Sequence, residues 1–406
     1  MHCPPRHSYD GIGERCPGGQ AWQHTSSRNT WRRSMTKKII AMAIAAIASS
    51  AAFAQSNVTI YGNIDMGYMH RSGSSGAVVS QKQNALESAA SESYLGFKGA
   101  EDLGNGMKAV FDLQLLLNPD VGGGTTTGRS YVGLAGGFGT VVAGYLDGLR
   151  YGIYGKYNPF GNYSVGNFAS MTTQYDRAAN AVAYISPNFS GFTLILATST
   201  NTQTAEGGLN GVHVPAKTPG GNKGDDRLFS ANLIYANGPL SIDLDYETTK
   251  AVGYSSSRLF VLTTGASYDF GPVKVSGVYD VIKGDRNSLI GGNIDLGGGA
   301  NLGGLAADEK YDRRNWFVGV QVPLNDRARL LASYGQIKDK TLSDADASKW
   351  AIGARYALSK RTELYADYAQ IRNDSSAAFT INPKGNSQGL SGLGTKGIAV
   401  GMKHSF

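Results

Sequence analysis

The sequence predicts an all-β chain, a 16-stranded antiparallel transmembrane β-barrel with a water-filled interior. Three observations carry that expectation: two-residue alternation of apolar and polar side chains, a strict alternation of short and long connections, and an unusual composition. The 406 residues include 55 Gly and 22 Tyr, and only 17% are charged. That is less charge than the roughly 25% of soluble domains and about twice their usual share of glycine. No apolar run reaches the roughly 18 residues of a membrane-spanning helix.

The chain divides near residue 54. Residues 1–54 hold seven of the 38 basic and two of the 31 acidic residues, which leaves 31 and 29 for residues 55–406. The positive balance of the whole chain therefore comes from its first segment, and a nucleic-acid partner is not expected. Cys3 and Cys16 also lie there, so residues 55–406 contain no cysteine for a disulfide, a thiolate metal site or a nucleophile. From Met35, the basic pair Lys37-Lys38, the apolar run Ile39–Ala48 and the small-x-small ending Ala52-Phe53-Ala54 form the three parts of a secretory signal peptide. The expected organisation is an upstream non-structural segment 1–34, a signal peptide 35–54 and a barrel over 55–406, with Met35 as the true start.

Period two appears at once in the remainder. Val58, Ile60, Ile64, Met66 and Tyr68 share one face, while Thr59, Tyr61, Asn63 and Asp65 take the other. The pattern returns in Met107, Ala109, Phe111, Leu113 and Leu115 against Lys108, Asp112 and Gln114, and in Ile242, Leu244 and Tyr246 against Ser241, Asp243 and Asp245. It ends with Ile398, Val400, Met402, His404 and Phe406 on one face. Such alternation is the mark of a strand with one apolar face.

Turn chemistry punctuates these strands. Short connections fall at 102–106, 136–139, 187–191, 237–239, 271–272, 325–327 and 359–361. Long polar ones fall between them, at 72–92, 118–127, 146–176, 199–227, 249–258, 283–314, 339–348 and 374–396. One rim of tight turns and one rim of loops is the arrangement of an up-and-down barrel. A soluble barrel of this size would need an apolar filling. Here the second face carries Asp, Asn, Gln, Lys and Thr, so the interior is wet and the apolar face meets lipid. Tyr268–Phe270, Trp316–Phe317, Trp350, Tyr356, Tyr365, Tyr368 and Phe406 cluster at strand ends, where aromatic girdles are expected.

Other chemistry is thin. His70, His213 and His404 are scattered without metal spacing, Gly291–Gly304 reads as a loop, and Asp344-x-Asp346 lacks the rest of a calcium loop. Asp225-Asp226 and Asp308-Glu309 read as solvated loop acids able to bridge surface lipids through divalent ions. No cofactor and no enzymatic activity are expected. The competing reading is a barrel whose long loops serve as a receptor, an adhesin or a structural protein.

Several stretches resemble the Gram-negative general diffusion porins of the beta-proteobacterial type. They are Ser56–Gly62 (SNVTIYG), Leu95–Gly104 (LGFKGAEDLG), Ser130–Leu134 (SYVGL), Phe138–Val141 (FGTV), Asp176–Ala178 (DRA), Ser186–Phe189 (SPNF) and the ending Gly401–Phe406 (GMKHSF). The resemblance implies a homotrimer of barrels in the outer membrane, in contact with lipid and lipopolysaccharide, with short periplasmic turns and long extracellular loops. It implies passive diffusion of small hydrophilic solutes and ions. It also implies that the third long loop, Leu146–Asp176, folds inward and narrows the channel opposite basic residues of the wall.

By the same resemblance the constriction would comprise Tyr94, Lys98, Tyr145, Asp147, Arg150, Asp176 and Arg177. Tyr94 and Tyr145 stand where the family usually has arginine, and Arg129 stands one residue after its usual place, now Gly128. A one-residue slip is expected to turn a side chain to the other face of the sheet. Arg177 matches the family's basic ladder directly, with Lys98 as a helper. A throat with fewer arginines implies weak ion selectivity, and its tyrosine faces suit a sugar-like or aromatic solute.

Overall fold

The structure, a computed structural model, describes residues 57–79, 82–122, 126–172, 176–200, 227–250, 258–285, 310–341, 344–381 and 393–406. The upstream segment, the signal peptide, Cys3, Cys16, His213, Asp225-Asp226, Gly291–Gly304 and Asp308-Glu309 lie outside the described residues.

Among the described residues, seventeen strands follow in chain order. The first nine are β1 (Asn57–Ser72), β2 (Gln83–Glu87), β3 (Tyr94–Gly104), β4 (Met107–Leu116), β5 (Thr126–Gly136), β6 (Gly139–Asp147), β7 (Arg177–Ile185), β8 (Phe192–Ser199) and β9 (Arg227–Asn237). The others are β10 (Leu240–Lys250), β11 (Arg258–Asp269), β12 (Lys274–Asp285), β13 (Lys310–Pro323), β14 (Ala328–Asp339), β15 (Ala347–Ala357), β16 (Thr362–Asn373) and β17 (Lys396–Ser405). A helix, α1 (Leu149–Tyr157), and a single 3-10 turn (Ala169–Met171) lie between β6 and β7.

All pairings are antiparallel, and β17 returns to β1, with Asn63 opposite Ser405 and Ser72 opposite Lys396, so the sheet closes. The ring has 16 staves rather than 17, because β2 and β3 pair with the upper and lower parts of the same strand, β1. Phe406 seals the seam at the chain end, where its backbone N–H and C=O both pair with Gly62.

The tight turns form where side chains satisfy the local backbone. Asp102 Oδ1 accepts from Gly104 N at 2.8 Å, Asp269 Oδ1 from Gly271 N at 2.8 Å, and Asn325 Oδ1 from Arg327 N and Ala328 N at 2.9 Å. These are Asx turns, which explains the Asp and Asn at these corners. Between β3 and β4, Gly104, Asn105 and Gly106 all have positive φ, a conformation that glycine and asparagine tolerate and most residues do not.

The alternation resolves into two surfaces. Val132, Leu134, Leu244, Val318, Ile352 and Val400 are exposed on the outer face. Their polar neighbours, among them Asp112, Gln114, Asn232, Asp243, Asp280 and Asn315, are buried on the inner one. An apolar exterior around a polar interior is stable only in lipid.

Two aromatics depart from the girdle expectation. Phe317 and Tyr365 are 1% and 3% exposed and face inward. They lie an odd number of residues from outward-facing Trp316 and Tyr368, so the pleat turns them to the other side. Trp316 pairs with Tyr334, and Trp350 with Tyr368, on the outer face.

Candidate functional site: the passage through the barrel

The segment from Gly148 to Thr172 runs across the interior. Gly148 N donates to the carbonyl of Asp176 at 2.9 Å, which ties the two ends of the segment together. It then packs on the wall of β10 to β17. The wall has glycines on its inner face where the loop touches it. Gly265 lies under Tyr157 and Ile153, Gly319 under Pro159, Gly335 under Phe168, Gly353 under Phe160, and Gly397 under Val165. A Cβ at Gly265, Gly319, Gly335 or Gly353 would come within 2.8 Å of the loop residue seated there, and one at Gly397 within 3.1 Å of Val165. Glycine weakens an isolated strand, but here its missing side chain makes the seat. Tyr154, Phe168 and Phe317 continue the contact, with ring centroids 5.4–6.4 Å apart.

Polar anchors fix the same segment. Arg150 pairs with Asp280 and donates to Thr263 at 3.0 Å and Thr172 at 2.5 Å. Tyr154 also donates to Asp280, and Tyr157 to Asp243, which Lys156 Nζ approaches to 2.5 Å. Ser164 donates to Asp367 at 2.6 Å, and Lys349 donates to the carbonyl of Asn167. Arg150 and Asp280 are both fully buried, and buried charges persist only when paired and hydrogen-bonded.

An open cavity of about 360 Å³ lies between this packed loop and the wall of β1 to β7. Arg129, Arg177 and Lys403 line it, with Glu92 and Asp147 of opposite sign, the tyrosines Tyr94, Tyr151 and Tyr163, and the neutral groups Asn63, Ser91, Gln114 and Ser405. Asp147 lies 3.1 Å from Arg129 Nη1 and 3.2 Å from Arg177 Nε. Arg129 also reaches Asp112 at 3.0 Å, and Arg177 reaches Glu92 at 2.7 Å. Lys403 Nζ lies 3.6 Å from Glu363. Burial pushes the phenols of Tyr151 and Tyr163 above their usual range, so both are uncharged at neutral pH.

The sequence-derived residues therefore separate. Tyr94, Asp147 and Arg177 line the cavity. Tyr94 meets Tyr61 edge-on at 5.8 Å, and Lys98 Nζ sits 4.9 Å from the same Tyr61 ring, outside the cavity lining. Tyr145, opposite Ser130 on β5, also lies outside that lining. Asp176 is buried at the loop's closing end. Arg150 lies on α1, with its side chain buried against the opposite wall and outside the cavity lining.

Arg129 corrects the expectation drawn from its one-residue slip. Leu113 pairs with Ser130 and Leu115 with Thr127, so three steps on β5 oppose two on β4. This bulge absorbs the extra residue and keeps Arg129 on the inner face. Gly128 was the available signal, since glycine inside a strand often marks a bulge. Lys403 and Glu92 gave no comparable signal, because their role depends on barrel closure and on the fold of residues 88–93.

Among the described residues no group of three His, Cys, Asp or Glu is placed to hold a metal ion. His70 and His404 instead bond Asn84 at 2.8 Å and Thr362 at 2.9 Å.

Comparison with known proteins agrees with this geometry. The Gram-negative porin family pattern matches residues 41–376. Outer membrane porin protein 32 of Delftia acidovorans is 30% identical over 391 residues, covering 92% of this chain and 100% of that protein. An outer membrane porin protein of Bordetella pertussis is 27% identical over 350 residues, covering 77% of this chain and 87% of that protein. Among solved structures, an anion-selective porin from Comamonas acidovorans superposes with a TM-score of 0.66 at 25% identity, covering 87% of this chain and 100% of that one. A closed barrel with an apolar exterior, a polar lumen and a continuous match to porin relatives leaves one conclusion: this chain belongs to the Gram-negative porins, and its place is the outer membrane.

Proposed function

We propose that residues 148–172 form the constriction of a diffusion channel for small hydrophilic solutes and ions, with a weak preference for anions. The observation that carries this reading is the near balance of charge around the passage, where three basic residues face two acidic ones. Fixed charges act strongly in a narrow pore, and because Asp112 and Glu363 also pair with Arg129 and Lys403 behind the lining, the preference left to the exposed basic groups is weak. Tyr94, with the edges of Tyr151 and Tyr163 that reach the cavity, adds uncharged surface suited to neutral sugar-like or aromatic solutes. The anion-selective porin of Comamonas acidovorans supports the sign of the preference.

In this reading the short turns are periplasmic, the long loops are extracellular, three chains assemble as a trimer, and the signal peptide 35–54 is removed on export. Planar-bilayer recording of refolded residues 55–406 under a salt gradient tests it. Conductance steps in threes with a small anion-directed reversal potential are expected. A folded barrel that passes no current, or one strongly selective for cations, overturns the reading.

A further inference from the structure

The second stave contains an irregularity that no tight turn or register rule requires. Glu87 of β2 lies opposite Gly67, and Tyr94 of β3 lies opposite Asn63. Residues 88–93 thus fill a span that Ile64, Asp65 and Met66 cover on β1. A strand advances a fixed ~3.3 Å per residue, so the excess residues have to leave the sheet. They fold inward, around Asp65.

Asp65 organises the fold. Its Oδ2 accepts from Ala90 N at 2.6 Å and Ser91 N at 2.7 Å, and its Oδ1 accepts from the Tyr365 hydroxyl at 2.7 Å. Asp65 N donates to Ser93 Oγ at 2.9 Å, and Ser88 Oγ donates to the Asp65 carbonyl at 3.1 Å. Asn63 Nδ2 donates to Ser91 Oγ at 2.7 Å and to the Glu92 carbonyl at 2.8 Å. Gly67 leaves room for the fully buried Ala89, whose Cβ would lie 3.1 Å from a Cβ at that position. This is a built element, with its backbone held from both sides.

The element presents Ser91 and Glu92 to the passage. Glu92 Oε2 lies 2.7 Å from Arg177 Nη2, so its carboxylate offsets a basic residue that the channel otherwise offers to anions. We propose that residues 88–93 are a second inward constriction element, facing the loop 148–172, and that Glu92 is the residue that lowers anion preference, with Asp65 and Tyr365 as positioning residues. The inference rests on the channel reading above and deepens it.

Reversal potentials of refolded Glu92→Gln channels test the proposal. Removing one unit charge that acts across roughly 7 Å of water changes each ion's energy by about one RT in opposite directions, so the anion-to-cation permeability ratio should rise about sevenfold at low salt. The shift should shrink as salt rises. Asp65→Ala, which leaves Glu92 in place but releases its backbone, should move the ratio the same way. If that variant does not assemble, Tyr365→Phe is read for the same direction. A Glu92→Gln channel that conducts with the wild-type reversal potential overturns the assignment of Glu92. Unchanged selectivity in folded Asp65→Ala or Tyr365→Phe overturns the positioning role. A wild-type barrel that passes no current overturns the channel reading instead, so the two failures are distinguishable.

Discussion

The two halves of the barrel wall have the same architecture and opposite surfaces toward the lumen. From β10 to β17 the inner face offers Gly265, Gly319, Gly335, Gly353 and Gly397, and the loop lies down on them. From β1 to β7 the inner face offers Tyr94, Gln114, Arg129 and Arg177, and it lines open space. The difference shows how one sheet builds both a floor and a passage. Removing side chains lets a loop approach the backbone closely and excludes water. Long charged side chains keep their surroundings hydrated, because desolvating them is costly. The acids under the loop confirm the rule from the other side, since Asp280 and Asp243 are tolerated there with Arg150, Lys156 and two tyrosine hydroxyls to satisfy them.

The largest way to break the contrast is Asp280→Ala. It leaves Arg150 charged and buried without its carboxylate, a loss of about 3–5 kcal/mol of seating energy. The expected result is a barrel whose unfolding midpoint falls and whose current becomes noisy as the loop leaves the wall. Wild-type thermal stability and quiet conductance would show that the pair does not hold the loop.

Gly319→Val is a gentler probe, because the added Cβ would run into Pro159 of the loop and otherwise comes no nearer to the sheet than the Ala332 carbonyl at 3.6 Å. Overpacking of this kind costs about 1–3 kcal/mol. Single-channel conductance should change while the barrel itself remains folded. A channel identical to wild type would mean that the glycine seats nothing.

On the open wall, Tyr94→Arg combined with Tyr145→Arg should shift permeability toward anions. Tyr94 lines the cavity and Tyr145 does not, so most of the shift should come from Tyr94→Arg alone. Equal contributions from the two single variants would place Tyr145 in the passage as well. The smallest effect is expected at the rim, where Lys338 and Asp346 form a solvent-exposed pair at 2.7 Å. Lys338→Met should change stability by no more than about 1 kcal/mol, as exposed ion pairs usually do, and should leave selectivity unchanged. A measurable reversal shift would extend the functional region out to the rim.

Much of this was legible in the sequence. The alternation in β1, β4, β10 and β17 reads directly as a wet interior and an apolar exterior, since period two is a local property of the chain. The Asp, Asn and Gly of the corners are likewise local, and they mark the tight turns except 359–361, where the Ser359 hydroxyl accepts from Arg361 N and Thr362 N instead. The site was only partly legible. Arg177 and Asp147 sit next to each other in the passage although they are far apart in the chain, and only the resemblance to porins joined them in advance. Arg150 was expected in the passage by the same resemblance, yet at the start of α1 its side chain turns to the opposite wall and pairs with Asp280.

The sequence by itself determined the strands other than β2, which lies within the expected connection 72–92, together with the two faces and the membrane that must surround them, because pleat and turn chemistry act over a few residues. Only the tertiary structure decided which charges meet. The bulge at Gly128 returns Arg129 to the lumen, and the residues folded around Asp65 bring Glu92 to Arg177. The seam of β1 with β17 adds Lys403 to the same passage. Those encounters depend on register and on ring closure, which are set by the pairing of strands far apart in the chain.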